Sequence, residues 1–173
     1  MRELADSERI ARFMRALGRA ATDDGACYLT GGATAVLLGW RRATIDVDIR
    51  IAPESDALLR AIQQLKDELQ VNVELVSPAD FIPIVPGWEE RSPFVAREGR
   101  LTYYHFELVA QALAKLERAH AQDLEDVAAM VERELIDADT ALQYFEQIEP
   151  LLYRFPAIDP RAFRQRVEET FRR

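Results

Sequence analysis

The 173-residue sequence has a net charge of −8, with 49% hydrophobic and 30% charged residues. This length suits one domain, or one domain with a helical extension, and no apolar run approaches the roughly 20 residues that a membrane-spanning helix needs. Nonspecific nucleic-acid affinity comes from Lys and Arg that displace counterions, so the acidic balance excludes a protein that coats nucleic acid. An RNA partner would need a local basic patch, for which the candidates are Arg41, Arg42, Arg161, Arg164, Arg166, Arg172 and Arg173.

The N-terminal residues and the cysteine content predict a compartment. Met1 to Leu4 lead into mixed charges instead of an apolar segment, so we expect no secretory signal. The lone Cys27 has no second cysteine with which to form an internal disulfide. Both features predict a cytoplasmic protein without a membrane segment.

The first half of the chain alternates helical and strand periodicities. The sequence predicts helices over 7–21, 33–39 and 53–69, and strands over 26–29, 45–51 and 71–76. The strand over 45–51 alternates strictly, with four aliphatic residues, Ile45 among them, on one face and Asp46, Asp48 and Arg50 on the other. The pattern therefore predicts a strand with an acidic face.

The second half is helical. Four prolines over 77–99 predict an ordered loop region, and 101–105 is predicted to form an edge strand. Helical periodicity follows over 107–117, 123–134, 140–152 and 160–171. We therefore predict an α/β (α+β) fold: a small mixed sheet flanked by helices over 1–105, and a helical region over 106–173 that packs on this core.

Asp46 and Asp48 are candidate metal ligands. Two carboxylates two residues apart on a strand share one face and lie about 6–7 Å apart, so both can bind one hard cation or flank a metal pair. Mg²⁺ or Mn²⁺ suits such a site, because phosphoryl transfer needs a metal to neutralise a triphosphate. Glu74 is the candidate third carboxylate, provided that its strand neighbours the strand of the aspartates.

Gly31 and Gly32 lie at a predicted strand-to-helix turn. Such a turn lets the backbone approach a phosphate and offers amide donors at a helix N-terminus, to which Thr34 would add a hydroxyl. The alternative is that the glycines only turn the chain and that the aspartates form a solvated strand face. Neither motif is specific alone.

The spacing of the two motifs carries a resemblance. Leu29-Thr30-Gly31-Gly32, an interval of thirteen residues, and Asp46-Val47-Asp48-Ile49 together resemble the signature of the polymerase-beta-like nucleotidyltransferase superfamily. The run Arg42-Ala43-Thr44-Ile45-Asp46-Val47-Asp48 resembles the abortive-infection-type (type IV toxin-like) bacterial members. The resemblance implies a nucleoside triphosphate held on Gly31 and Gly32 beside Arg42 and Thr44, with metal on the carboxylates.

A second cluster extends the resemblance. Lys115 lies on a predicted helix, and Asp123-Leu124-Glu125-Asp126 follows at the start of the next one. In the toxin-like families a helix lysine reaches the nucleotide phosphates, and a following Asp-x-x-Asp orients it or borders the substrate. This implies nucleotide-binding roles for Lys115, Asp123 and Asp126. The alternative is a surface lysine and an Asp123 that caps a helix.

The implied activity is transfer of a nucleoside monophosphate from a triphosphate to an acceptor hydroxyl. The acceptor classes left open are an RNA end such as tRNA, a protein and a small molecule, and a toxin role would bring a cognate antitoxin. Antitoxin-type minimal members carry Gly-Ser and Ser-Asp where this chain has Gly32-Ala33 and Ile45-Asp46, which disfavours a partner-modifying antitoxin. The competing hypothesis is a catalytically silent module that binds nucleotide or a partner.

Overall fold

The computed structural model describes residues 3–172, whose contacts divide them into two compact units. Unit 1 contains the residues up to Ser77 together with Ser92–Phe106, and unit 2 contains Pro78–Arg91 together with the residues from Glu107 onward. All strands of the described residues lie in unit 1. The predicted fold class, an α/β part followed by a helical part, is confirmed, whereas the domain boundary at residue 105 stays a prediction.

Unit 1 is built on a five-stranded mixed sheet. Its elements are β1 (Ala5–Asp6), α1 (Ser7–Ala20), β2 (Gly25–Thr30), α2 (Gly31–Leu38), β3 (Ala43–Thr44), β4 (Asp46–Ala52), α3 (Asp56–Glu68), β5 (Asn72–Leu75), β6 (Phe94–Glu98) and β7 (Leu101–His105). The sheet order is β5-β4-β2-β7-β6, with β4 parallel to β5 and antiparallel to β2, and β7 parallel to β2 and antiparallel to β6. β1 and β3 form a separate antiparallel pair.

One face of this sheet is covered by helices. α1 begins after Asp6, whose side chain accepts a hydrogen bond from the Arg9 amide at 2.8 Å, and it buries Ile10, Phe13 and Leu17 at helical spacing. These residues share a core with aliphatic side chains of the strands, namely Leu29, Val47, Ile49, Ile51 and Val73. Since side chains alternate along a strand, Asp46, Asp48 and Arg50 project from the opposite face.

Ile45 is not part of that aliphatic face, so its predicted position is wrong. Its side chain is 70% exposed, because it lies in the break between β3, which ends at Thr44, and β4, which begins at Asp46. The other residues of the predicted strand lie on the faces predicted for them. The strand itself runs from Asp46 to Ala52, one residue later than predicted.

The predicted loop over 77–99 is wrong at its C-terminal end. Phe94–Glu98 forms β6, which pairs with β7 through a turn in which Gly99 has a positive φ of 60°. β7 therefore lies between β2 and β6, and its predicted edge position is wrong as well. Pro93 immediately precedes the strand, where the missing amide costs no ladder hydrogen bond.

Unit 2 is helical, as predicted. Its helices are α4 (Leu108–Arg118), α5 (Ala121–Glu132), α6 (Ala138–Ile148) and α7 (Pro160–Phe171), with 3₁₀ turns at Pro78–Asp80 and Glu149–Arg154. Asp137 and Asp159 cap α6 and α7, and the rings of Phe145 and Phe163 pack edge to face at 5.0 Å. Among residues 3–172, no helix has the length and apolar character needed to cross a membrane.

Candidate active site

β4 and β5 carry the candidate carboxylates side by side. Their parallel register pairs Asp46 with Asn72 and Asp48 with Glu74. Paired residues of neighbouring strands project to the same face of a sheet, so Glu74 shares the face of the two aspartates. Glu74 is expected to act as the third carboxylate only if its strand neighbours that of the aspartates, and the two strands are neighbours. Its role as a metal ligand stays a prediction.

The three carboxylates differ in their surroundings. Asp46 is half-buried, and its Oδ1 accepts a hydrogen bond from the Asn72 side-chain amide. Asp48 is half-buried too, with its Oδ1 shielded from solvent, whereas Glu74 is exposed. The sequence did not single out Asn72, although its alternation with Glu74 is the signal that would have found it.

The backbone at the start of α2 lies against Asp48. Gly31 has a φ of 59°, and a Cβ on it would lie 2.8 Å from Oδ2 of Asp48. A side chain at Gly31 would therefore push this carboxylate away. The end of β2 explains the approach, because Thr30 pairs with Asp48 across the antiparallel β2–β4 ladder, and α2 starts one residue later.

Gly32 makes a second close approach. A Cβ on this residue would lie 2.0 Å from the Thr44 hydroxyl, which donates a hydrogen bond to the Asp46 carbonyl at 3.0 Å. Thr44 is buried, and its hydroxyl lies between Gly32 of α2 and the Asp46 carbonyl at the start of β4. The contact between Thr44 and nucleotide stays a prediction.

Thr34 is enclosed within unit 1. Its hydroxyl lies 3.3 Å from the Leu29 carbonyl, to which it donates, and 2.9 Å from Nδ1 of His105. Burial lowers the pKa of His105 to about 4, so the imidazole is neutral at neutral pH. These contacts tie α2 to the end of β7, and the predicted contact of Thr34 with phosphate stays a prediction.

Arg41 is a site residue that the sequence motif did not indicate. Its Nη1 lies 3.3 Å from the position that a Cβ on Gly32 would take, so its guanidinium lies beside the glycine turn. The backbone amide of Arg41 donates to the Ala35 carbonyl and folds the chain back over α2 after Gly39. The motif indicates Arg42, which is exposed, because the resemblance matches that residue by its spacing from Asp46.

Lys115 forms a buried charge network within unit 2. Its ammonium lies 2.7 Å from Oδ2 of Asp126 and 3.8 Å from Oδ1 of Asp123, and all three side chains are at most 7% exposed. Arg118 binds both oxygens of Asp123, at 2.7 and 2.6 Å, and the His120 amide donates to the same carboxylate at 3.2 Å. Lys115 is thus a buried lysine, not a surface one.

The pKa of Asp123 reflects this network. Burial acts to raise it, but the hydrogen bonds and charge of Arg118, the charge of Lys115 and the amide of His120 outweigh burial and hold the pKa below its usual range. Asp123 therefore stabilises the start of α5, but as the third helical residue of a capping box whose N-cap is His120, and not as the N-cap that the alternative expects. The nucleotide roles of Lys115 and Asp123 stay predictions.

The C-terminal arginines are largely engaged within unit 2. Arg164 pairs with Glu149 and Glu168, and Arg172 pairs with Glu168 at 3.5 Å. Arg166 donates to the carbonyls of Leu116 and Glu117 at the end of α4. Arg173 lies outside the described residues. Three of the C-terminal arginines, Arg164, Arg166 and Arg172, are therefore held by partners within their own unit.

The donor chemistry fits a hard divalent cation. Within residues 3–172, no three His, Cys, Asp or Glu side chains stand close enough together to hold a metal ion by themselves. Mg²⁺ bound with a nucleotide commonly takes only one or two carboxylates, and phosphate and water oxygens complete its shell. Asp46 and Asp48, on one strand face beside a glycine turn that a Cβ would fill, match that donor set.

The fold is of the nucleotidyltransferase type. It combines a mixed sheet, helices on one face of that sheet, and a glycine turn that lies against a strand carboxylate. Residues 8–169 match the family described as nucleotidyltransferase of unknown function (DUF6036), and the chain belongs to this family. Neither a curated protein nor a solved structure gave a significant match.

Proposed function

We propose that this chain is a metal-dependent nucleotidyltransferase that transfers a nucleoside monophosphate from a nucleoside triphosphate to an acceptor hydroxyl. The observation that carries the proposal is the approach of Asp48 to Gly31, which brings a candidate metal ligand to the start of a helix. A helix start offers amide donors to phosphate, and a carboxylate there holds the cation that a triphosphate requires.

Each residue has a role in this proposal. Asp46 and Asp48 hold Mg²⁺ or Mn²⁺, which when bound neutralises the triphosphate and polarises the α-phosphate. The amides of Gly31 and Gly32 bind phosphate oxygens, and the guanidinium groups of Arg41 and Arg42 add positive charge.

The reaction exchanges one bond to phosphorus for another. The acceptor oxygen bonds to the α-phosphorus, and the bond from that phosphorus to the bridging oxygen breaks, so that pyrophosphate leaves with the electron pair. Glu74 takes the acceptor's proton, or, where it instead completes the metal site, solvent water takes that proton. Lys115 neutralises charge on the departing pyrophosphate, as the resemblance to the toxin-like families implies.

The same resemblance supports an RNA end such as tRNA as acceptor, and a toxin role with a cognate antitoxin. The Arg42-x-Thr44-x-Asp46-x-Asp48 run is the sequence support for this part of the proposal. Thr44 would then serve by fixing the start of β4, and Arg42 would serve as an exposed cation near the nucleotide.

A catalytically silent module that binds nucleotide or a partner is the second candidate. The observation that favours it is the buried ion pair of Lys115 with Asp126, since a lysine held by a carboxylate at 2.7 Å has less reach toward a phosphate. The two candidates differ in whether bound nucleotide is consumed.

The test is to incubate the chain with Mg²⁺ and, in turn, each nucleoside triphosphate labelled at the α-phosphate. Total tRNA, cell protein and small metabolites are supplied as separate acceptors. We expect label to pass to one acceptor class and to be lost when the divalent cation is chelated. Nucleotide binding without transfer to any acceptor would contradict the proposal and support the silent module.

Gly31→Ala is expected to lower transfer by about a hundredfold, because the new methyl group displaces the Asp48 carboxylate and small misplacements in an active site are that costly. Gly39→Ala is the matched control, since Gly39 also has a positive φ, of 97°, but no atom lies within 4 Å of its Cβ position. Both variants are expected to lose about 1 kcal/mol of unfolding free energy from the left-handed backbone. Equal activity of the two variants would show that the Asp48 contact is unimportant.

A further inference from the structure

A row of aromatic side chains crosses the sheet beside the candidate active site. The register pairs Tyr28 of β2 with Tyr104 of β7, and Tyr104 with Phe94 of β6. We call these three residues the aromatic strip. On its other side Tyr28 pairs with Arg50 of β4, so the row ends at a cation.

The rings of the strip contact one another in sequence. Tyr28 and Tyr104 are stacked, with centroids 5.4 Å apart and planes 21° apart, and Phe94 meets Tyr104 edge-on at 6.3 Å. Tyr28 is 6% exposed whereas Phe94 is 65% exposed. The strip is therefore anchored at its buried end and opens to solvent on the edge strand β6.

The strip lies on the sheet face that carries the aspartates. Arg50 and Asp48 are two residues apart on β4, which is about 7 Å along a strand, and both side chains project away from the helical core. On the neighbouring strand β2, Thr30 pairs with Asp48 and Tyr28 pairs with Arg50. The row of paired residues that contains the strip is therefore adjacent to the row that contains Asp48.

A strand irregularity adds a second cation to this face. The β6–β7 register shifts between Phe94 and Ala96, so that Phe94 and Arg97, three residues apart, project to the same side. Arg97 donates to the Thr102 hydroxyl at 3.1 Å, and its ion pair with Asp24, at 3.3 Å, is solvent-exposed. Such an exposed pair contributes little free energy, so Arg97 can exchange Asp24 for a phosphate at low cost.

An exposed aromatic ring beside arginines is typical of surfaces that bind single-stranded nucleic acid, since a base stacks on the ring and phosphates pair with the cations. In the strip that ring is Phe94, which Tyr104 and the buried Tyr28 support from behind. A protein acceptor would not need a stacking surface between two arginines. The net charge of −8 repels a polyanion elsewhere, so Arg50 and Arg97 provide the local positive charge that an RNA requires.

We propose that the aromatic strip binds unpaired nucleotides at the end of an RNA acceptor. A base stacks on Phe94, Arg97 and Arg50 pair with the backbone phosphates, and the terminal hydroxyl is directed along the sheet toward Asp48. This inference rests on the proposed function, because it names the acceptor class of the same site.

The first test measures binding of a labelled single-stranded RNA of about 12 nucleotides, a length within the range that such surfaces bind, and of a blunt duplex of the same sequence. We expect the single strand to bind more tightly, and Phe94→Ala to weaken it about tenfold, the loss typical of one stacked base. Phe94→Trp should keep the affinity. Tyr153→Ala, which removes another aromatic ring, 73% exposed in unit 2, is the control.

The second test measures the salt dependence of the same binding. Arg97→Ala should reduce the slope of log affinity against log salt by about 0.7, the value for one phosphate contact on a single strand. Arg12→Ala is matched in exposure, 54% for each side chain, but lies on α1, which packs on the opposite face, and should leave the slope unchanged.

These experiments separate the strip from the chemistry. Phe94-dependent RNA binding without nucleotide transfer would support the strip and overturn the proposed function. Transfer of label to protein or to a small molecule, with RNA affinity equal in Phe94→Ala and Tyr153→Ala, would overturn the strip and leave the transferase standing. Equal affinity of the wild type for single strand and duplex would also overturn the strip.

Discussion

Asp48→Asn is expected to lower the rate of nucleotidyl transfer by about a thousandfold, corresponding to the several kcal/mol that a correctly held metal contributes to the transition state. Asparagine keeps the size and shape of the side chain but removes its charge. In the proposed mechanism Asp48 is the critical carboxylate, because it lies against the glycine turn.

The control for this variant is Asp56→Asn. This substitution removes the same charge from an exposed residue in the first turn of α3, a helix that packs on the core side of the sheet. Circular dichroism and thermal unfolding should show that both variants keep the fold. Transfer by Asp48→Asn within about tenfold of the wild type would contradict metal binding by this residue, since a tenfold change is only about 1.4 kcal/mol.

Asp126→Ala is expected to lower the free energy of unfolding by about 3–5 kcal/mol, because it leaves the Lys115 ammonium buried without its closest carboxylate. The Lys115 side chain is 7% exposed and that of Asp126 is fully buried, so water has little access to replace the lost partner. Chemical denaturation monitored by fluorescence measures the loss. Asp137→Ala, which removes an exposed helix cap in the same unit, should lower the free energy of unfolding much less.

The double variant Lys115→Met with Asp126→Leu separates stability from catalysis. Removing both charges with side chains of similar volume should restore most of the stability lost in Asp126→Ala. Nucleotide transfer by this stable double variant then reports on the proposed phosphate contact of Lys115. Undiminished transfer by the double variant would contradict the phosphate contact and leave Lys115 with a structural role. A loss of less than 1 kcal/mol in the unfolding free energy of Asp126→Ala would contradict that structural role.

Local signals carried most of the fold prediction. Asp6, Ser55 and Asp137 each accept a hydrogen bond from a helix amide at the start of α1, α3 and α6, and the apolar spacing that follows each of them predicts a helix. β6 was missed because the prolines that precede it dominate the composition of its surroundings, whereas its pairing with β7 is decided by a turn at Gly99.

The candidate site was only partly predictable for a different reason. Asp46, Asp48 and the glycines follow from spacing along the chain, but the pairing of Asp48 with Glu74 is a choice between strand neighbours that alternation alone does not make. Arg41 reaches the glycine turn because the chain folds back after Gly39, and Phe94 joins Tyr104 through a register shift. Such contacts depend on tertiary pairing, which leaves no periodic signal in the sequence.

The contact between Asp48 and the start of α2 has a consequence for the order of ligand binding. A carboxylate already lies against the helix start at which a triphosphate would have to settle, so two anionic groups would share one electropositive end. They are compatible only with a divalent cation between them. Metal and nucleotide should consequently bind with positive cooperativity, each raising the affinity for the other by the same factor.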